Sequence, residues 1–137
     1  MTKRDFVANH GFEKIGSYEL DPETQGVKVT STVRVSDPVS ITYAMFVGSQ
    51  CKYIGKTISR YERPLTYHRN NVMTRVRDGI FKTVLEDRKV VEIYAKKTNL
   101  NLMHEGLELD LAEAVEAALI KKIKPEWNSW GKKKKDI

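Results

Sequence analysis

Two tyrosines ten positions apart, Tyr43 and Tyr53, the carboxylate Glu116 and a run of five cations that includes Arg63 are residues of types that could do chemistry. Phenols and carboxylates can move protons or hold a cation, and a guanidinium can grip an oxyanion through two parallel hydrogen bonds. Tyr43 falls in Ile41 to Val47, a run rich in β-branched and aromatic residues, and Tyr53 in Cys51 to Gly55, with Gly48–Gln50 as the turn between them. A three-residue loop would pair Val47 with Cys51, Met45 with Tyr53 and Tyr43 with Gly55, placing both tyrosines on one face of a sheet. Co-facial tyrosines more often pack than react, so the pair alone decides nothing.

Glu116 poses a sharper question. Asp110 and Glu113 form a capping-box pair opening a helix that runs through about Ile123 and stops at Pro125. At about 100° per residue, Leu111, Ala112, Val115, Leu119, Ile120 and Ile123 share a broad apolar face, with Glu113 at its edge and Glu116 inside it. A carboxylate buried there is costly unless paired or bound to a metal. A salt bridge to a nearby Arg or Lys explains it as well as a metal does.

Charge narrows the partners. The net charge is +6, of which the run Lys132–Lys135 with Asp136 supplies +3. Lys52 to Arg69 carries Lys52, Lys56, Arg60, Arg63 and Arg69 against Glu62, so +4, with Tyr53, Tyr61, Tyr67 and His68 between the cations. Cations that neutralise phosphates release counterions, and this interleaving is the footprint of a nucleic-acid surface. An exposed basic helix with packed tyrosines fits equally well at this point. The single cysteine, Cys51, excludes a disulfide framework and a thiolate zinc site within the chain. The longest charge-free stretch, Pro38 to Cys51, is too short to span a bilayer, and Met1 to Asp5 lacks a signal-peptide core, so a reduced, cytoplasmic setting is expected.

The elements that must position these residues follow from patterning. Residues 1–24 read as a short helix and an irregular link, and Val27 to Val35 as an extended segment bent near Ser31. Residues 62–86 read as helical, with Pro64 in a first turn and Gly79 as a junction. Lys89 to Ala95 has strand character, and Thr98 to Glu108 reads as a polar loop with Gly106. The resulting order predicts an α/β (α+β) sandwich with a small, mainly antiparallel sheet flanked by helices.

Tyr43, then Tyr53-Ile54-Gly55, Arg63 eight residues beyond that glycine, Glu116, and Asn128 twelve further on resemble the GIY-YIG nuclease superfamily. Tyr53 to Thr57, Val91 to Ala95 and Pro125 to Asn128 are closest to its endonuclease II branch from T-even bacteriophages. Two departures stand out. Ile41-Thr42-Tyr43 keeps only the tyrosine of the first triplet, and His68 follows Arg63 by five residues where the family's histidine often follows by four, the place Tyr67 holds.

The resemblance implies a catalytic domain over 41–130, an N-terminal extension over 1–40 and a disordered basic tail over 131–137. It implies a metal-dependent endonuclease cutting double-stranded DNA, a phage enzyme degrading host DNA in the bacterial cytoplasm. A restriction endonuclease on the same scaffold, or a DNA-binding domain of this fold without cleavage, is the alternative. Glu116 would hold one Mg²⁺, with Mn²⁺ able to substitute, because a single carboxylate plus waters and phosphate suits that ion. Arg63 would clamp the phosphate, and Tyr43 would act as, or assist, the general base, its pKa lowered by Lys56, Arg63 or the metal. Tyr53 would orient the water or phosphate, His68 would join the catalytic set, and Asn128 would hold the geometry behind it. Arg60, Arg69, Arg75, Arg77, Lys132 and Lys133 would contact DNA. A homodimer or homotetramer is expected, because one small subunit offers one active site for two strands.

Overall fold

The computed structural model describes residues 2–69, 74–98 and 102–128. Lys132 and Lys133, with the rest of the basic tail, lie outside the described residues. The chain begins with α1 (Lys3–His10), capped by a reciprocal pair in which the Asp5 amide donates to Thr2 Oγ1 at 3.2 Å and the Thr2 amide donates to Asp5 Oδ2 at 3.0 Å. Strands β1 (Glu13–Leu20), β2 (Val27–Ser31), β3 (Ile41–Val47) and β4 (Gln50–Thr57) follow. Next come a one-turn helix α2 (Glu62–Leu65), a 3₁₀ turn (Tyr67–Arg69), α3 (Arg75–Phe81) and a π turn (Lys82–Glu86). The chain continues through β5 (Val91–Lys97), a short hairpin of β6 (Leu102–His104) and β7 (Leu107–Leu109), and α4 (Leu111–Ile123).

The five-stranded sheet has the order β2-β1-β5-β3-β4, and every neighbouring pair is antiparallel. One face carries Tyr18, Ile41, Tyr43, Met45 and Ile93 beneath Leu65, Tyr67, Val76, Ile80 and Trp127. The other carries Ala44, Phe46 and Ile54 against Phe6 of α1 and Leu119, Val115, Ile120 and Ile123 of α4. The α+β sandwich expected from the sequence is therefore the fold observed. Among the described residues, no helix is long and apolar enough to cross a membrane.

Four local expectations change. The helical run over 62–86 is divided into α2, the 3₁₀ turn, α3 and the π turn, with Gly79 inside α3 rather than at a junction. Glu13–Leu20 is not an irregular link but an interior strand, paired with β2 on one side and β5 on the other. Its four central residues are all buried, so it lacks the alternation that would have marked it, and a bulge between Lys14 and Gly16 interrupts the register. The polar loop over 98–108 contains the hairpin β6–β7 instead, turned by Glu105 (φ 50°) and Gly106 (φ 80°), both in the left-handed region that a tight two-residue turn needs. In the β3–β4 hairpin the turn has two residues rather than three, with Val47 opposite Gln50 and Phe46 opposite Cys51. Lys52 is then the extra residue of a bulge, which restores Met45 opposite Tyr53 and Tyr43 opposite Gly55. The predicted register at the tyrosines holds because one missing loop residue is replaced by one bulged residue.

Strand β4 is an edge strand, and residues 125–128 cover it. The Trp127 amide donates to the Lys52 carbonyl at 2.8 Å, and the buried Asn128 side chain accepts from the Ile54 amide at 3.0 Å while donating to its carbonyl at 2.8 Å. Trp127 in turn lies over Gly79 of α3, where an added Cβ would stand 2.3 Å from Trp127 Cε2. A Gly→Ala change inside a helix ordinarily stabilises by roughly 0.5–1 kcal/mol. Here the sign should reverse, because the indole is held by its own backbone bond and cannot step aside cheaply. Urea unfolding of Gly79→Ala should show a loss of about 1–3 kcal/mol, the usual cost of overpacking; a gain would mean that Trp127 is loosely held.

Candidate active site

The sequence Tyr53-Ile54-Gly55 places a glycine directly opposite Tyr43, and the space it leaves is used. An added Cβ at Gly55 would stand 2.6 Å from Tyr43 Cζ and Oη and 2.8 Å from Tyr53 Cε2, so both rings lie against bare backbone. Their centroids are 6.1 Å apart. Tyr67, from the 3₁₀ turn, completes a triad: its ring is 6.2 Å from that of Tyr53, and its hydroxyl is 2.8 Å from the Tyr43 hydroxyl. Arg63 stands beside Tyr67, and that phenol first, then Tyr43 and Tyr53, push the guanidinium pKa further up.

Burial sets the protonation of the phenols. Tyr43 is wholly buried, and desolvation first, then Tyr67 and Tyr53, raise its pKa well above that of a free tyrosine. Tyr53, only partly buried, is raised by the same leading cause. Arg63 opposes both shifts as a lesser influence. The lowered Tyr43 expected from the sequence is thus reversed in the protein as it stands: a buried phenolate costs more than one adjacent guanidinium returns.

Glu116 reaches the same place from the opposite layer. Helix α4 packs against β3 and β4, anchored where Thr42 Oγ1 donates to the Ala112 carbonyl at 3.1 Å. Asp110 caps the helix by accepting from the Ala112 and Glu113 amides, but Glu113 points to solvent, its carboxylate 3.4 Å from Lys56 Nζ. Lys56 also lies 3.9 Å from Asp110. Glu116 is half-buried, and among the described residues no hydrogen bond or ion pair engages its carboxylate. Desolvation raises its pKa, with Lys56 and Arg63 pulling it down and Glu113 and Asp110 pushing it up. Among the described residues, no three His, Cys, Asp or Glu side chains converge into a metal cluster. The donor set is therefore one unengaged carboxylate, which fits a cation that keeps most of its water and takes other ligands from a phosphate.

The remaining candidates separate. Asn128 serves the backbone of Ile54, between Tyr53 and Gly55. His68 packs edge-on against Tyr18, with centroids 5.4 Å apart, and burial lowers its pKa. The phenol that meets Tyr43 and Arg63 is instead Tyr67, four residues after Arg63, and that spacing is the signal that marked it. Arg60 and Arg69 are exposed. Arg75 donates to the Glu126 carbonyl at 3.1 Å, and the Arg77 guanidinium sits 4.5 Å from the Phe81 ring centroid, so both are engaged within the fold.

The raised pKa of Glu116 has a stability consequence with a definite sign. The folded state holds the proton more tightly than the unfolded chain, so stability is lost as pH rises through the interval between the ordinary glutamate pKa and the raised one. Glu116→Gln, which mimics the protonated form, should melt higher than the wild type at pH 7 without divalent cations. The gap should close as pH falls below the carboxylate range. A lower melting temperature for the variant at pH 7 would show that Glu116 is held by a charge partner.

The arrangement matches solved structures at the level of fold. A glutamate-to-alanine mutant of bacteriophage T4 EndoII superposes with a TM-score of 0.68 at 21% identity, covering 93% of this chain and 99% of that one. Restriction endonuclease HPY188I, in complex with product DNA, gives a TM-score of 0.53 at 12% identity over 90% of this chain and 82% of that one. No family model matches the chain, and no curated protein sequence does.

Proposed function

We propose that this chain, which has the GIY-YIG nuclease fold, is a Mg²⁺-dependent endonuclease that hydrolyses phosphodiester bonds in double-stranded DNA. The observation that carries the reading is the meeting, at one sheet edge, of a half-buried and unengaged Glu116 with Arg63 and the Tyr43–Tyr53–Tyr67 triad. Binding DNA alone requires no carboxylate beside the phosphate path. Both structural neighbours are endonucleases by name, one of them holding product DNA.

Arg63 clamps the scissile phosphate: its exposed guanidinium carries a fork of donors, two of which can take two phosphate oxygens at once. Tyr67 lies beside that fork and is itself held by the wholly buried Tyr43 through their hydroxyls. Tyr43 is thus a positioning residue rather than the base. Tyr53, partly exposed, presents the phenol that orients the attacking water or phosphate. Glu116 is the residue that would hold the divalent ion, which when bound supplies Lewis-acid charge neutralisation at the phosphate. Lys56, through its field, opposes the proton uptake that burial favours at Glu116. Exposed Arg60 and Arg69 extend the cationic surface for the duplex backbone. Two strands require two active sites or two visits, so a homodimer or homotetramer is the proposed assembly. A phage enzyme acting on host DNA in the bacterial cytoplasm is the proposed setting.

Plasmid incubated with purified protein should be cut with Mg²⁺ or Mn²⁺ and spared with EDTA. Glu116→Gln should abolish cutting while DNA binding persists or tightens, because a negative charge is removed from the phosphate path. Arg63→Lys should lose on the order of 10²-fold in rate, near what one preorganised electrostatic donor supplies. Retained cutting by Glu116→Gln would remove it as metal ligand. A large loss in Arg60→Lys with none in Arg63→Lys would mean that the other arginine holds the phosphate.

A further inference from the structure

Arg63 and Tyr67 lie on a short, non-repetitive stretch: one turn of α-helix, one residue, then a 3₁₀ turn. So few residues cannot hold themselves in place, because the first turn of any helix fixes several dihedrals for a single hydrogen bond. What fixes this stretch comes from β1. The hydroxyl of Tyr18 donates to the Pro64 carbonyl at 2.7 Å and accepts from the Tyr67 amide at 3.0 Å. One buried oxygen therefore joins the residue after Arg63 to the backbone of Tyr67. The Tyr18 ring meets His68 edge-on, so the contact continues along the 3₁₀ turn. Tyr18 is wholly buried in an interior strand that is paired on both sides.

We infer that Tyr18 is a positioning residue for DNA cleavage, a pin from the sheet that sets the Arg63 guanidinium and the Tyr67 phenol at the distance the phosphate requires; the inference rests on the nuclease reading above. Its chemistry suits the task. A hydroxyl both donates and accepts, so it can satisfy a carbonyl and an amide that point at one spot, which phenylalanine cannot. Losing it leaves both backbone groups buried without partners, and they would find new ones only by moving the turn that carries Arg63. Tyr18 is wholly buried and offers no surface to a duplex, so it acts on the rate through geometry and leaves affinity alone.

The test compares single-turnover cleavage of a linear duplex in Mg²⁺ with duplex affinity measured in Ca²⁺, at a temperature below the melting point of every protein used. Tyr18→Phe should cleave about tenfold more slowly or worse, since sub-ångström misplacement of a clamp costs rate on this scale, and should bind within about twofold of wild type. Amide exchange at Tyr67 should quicken while the β3–β5 ladder stays protected. Ile15→Val, an apolar loss on the same strand with no bond to the turn, should keep the wild-type rate. Should Tyr18→Phe not fold, 3-fluorotyrosine at position 18, which keeps the ring and weakens the bond accepted from Tyr67, should slow cleavage in the same direction. A wild-type rate in the folded variant overturns the role, as does an equal slowing in Ile15→Val, which would reduce Tyr18 to general stability. Wild-type protein that cuts nothing overturns the nuclease reading first and this role with it.

Discussion

The site depends on how an edge strand is kept in place. Among the described residues, the backbone groups of β4 that face away from β3 have no strand to bond, and an unpaired edge is open to other chains. The Asn128 amide closes it at Ile54, donating and accepting at one residue. Of the common side chains only an amide offers both groups at that separation; an ionised aspartate would have no proton for the carbonyl. Ile54 stands between Tyr53 and Gly55, so the clamp fixes the two positions against which Tyr43 must fit to within a methyl group. The Lys52–Glu126 ion pair at 2.7 Å and the bond from Arg75 to the Glu126 carbonyl tie the same four-residue segment to both neighbours.

With the edge fixed, the two layers of the sandwich can meet around it. Arg63 and Tyr67 belong to the layer with Trp127, and Glu116 to the helix on the other face. Neither layer could gather the set alone, because residues on one face of a sheet point away from the other. The edge is the one place where a side chain from each can approach the same solvent-facing spot. Lys56 sharpens this arrangement by its choice of partner. Its ion pairs are with Glu113 and Asp110, at the exposed start of α4, where such pairs contribute little to stability. Glu116 feels only its field and keeps an unengaged carboxylate.

What the sequence disclosed divides along physical lines. Glu116 was legible because a helix has a period, and a charge inside the apolar sector of that period is visible without coordinates. The tyrosine pairing was legible because a strand has a period of two, and it survived a miscounted turn since the bulge at Lys52 supplied the missing residue. Strand β1 was not legible, since a strand covered on both faces loses its alternation and Gly16 and Ser17 carry no strand preference. Tyr67 and His68 were hard to rank because a 3₁₀ turn following one turn of helix has no repeat from which to infer direction. The engagement of Arg75 and Arg77 inside the fold depends on Glu126 and Phe81, and a helical wheel shows faces, not partners.

Protonation joins these parts into one argument. Burial raises Tyr43, Tyr53 and Glu116 alike, so the site favours the protonated form of each. Arg63 and Lys56 oppose this but do not overcome it, because neither is paired directly with the carboxylate. On the proposed reading, a divalent cation and a proton compete for Glu116, and each must weaken the other by the same factor. Cation affinity should then fall off at a higher pH than an ordinary glutamate would give. The half-buried position that makes the carboxylate costly to ionise is also what leaves it without a competing partner inside the protein. A more exposed glutamate at the same position would ionise more easily and would then be drawn into the Lys56 pairing that Glu113 makes now. Partial desolvation thus keeps Glu116 out of a salt bridge and open to a ligand that brings its own charge.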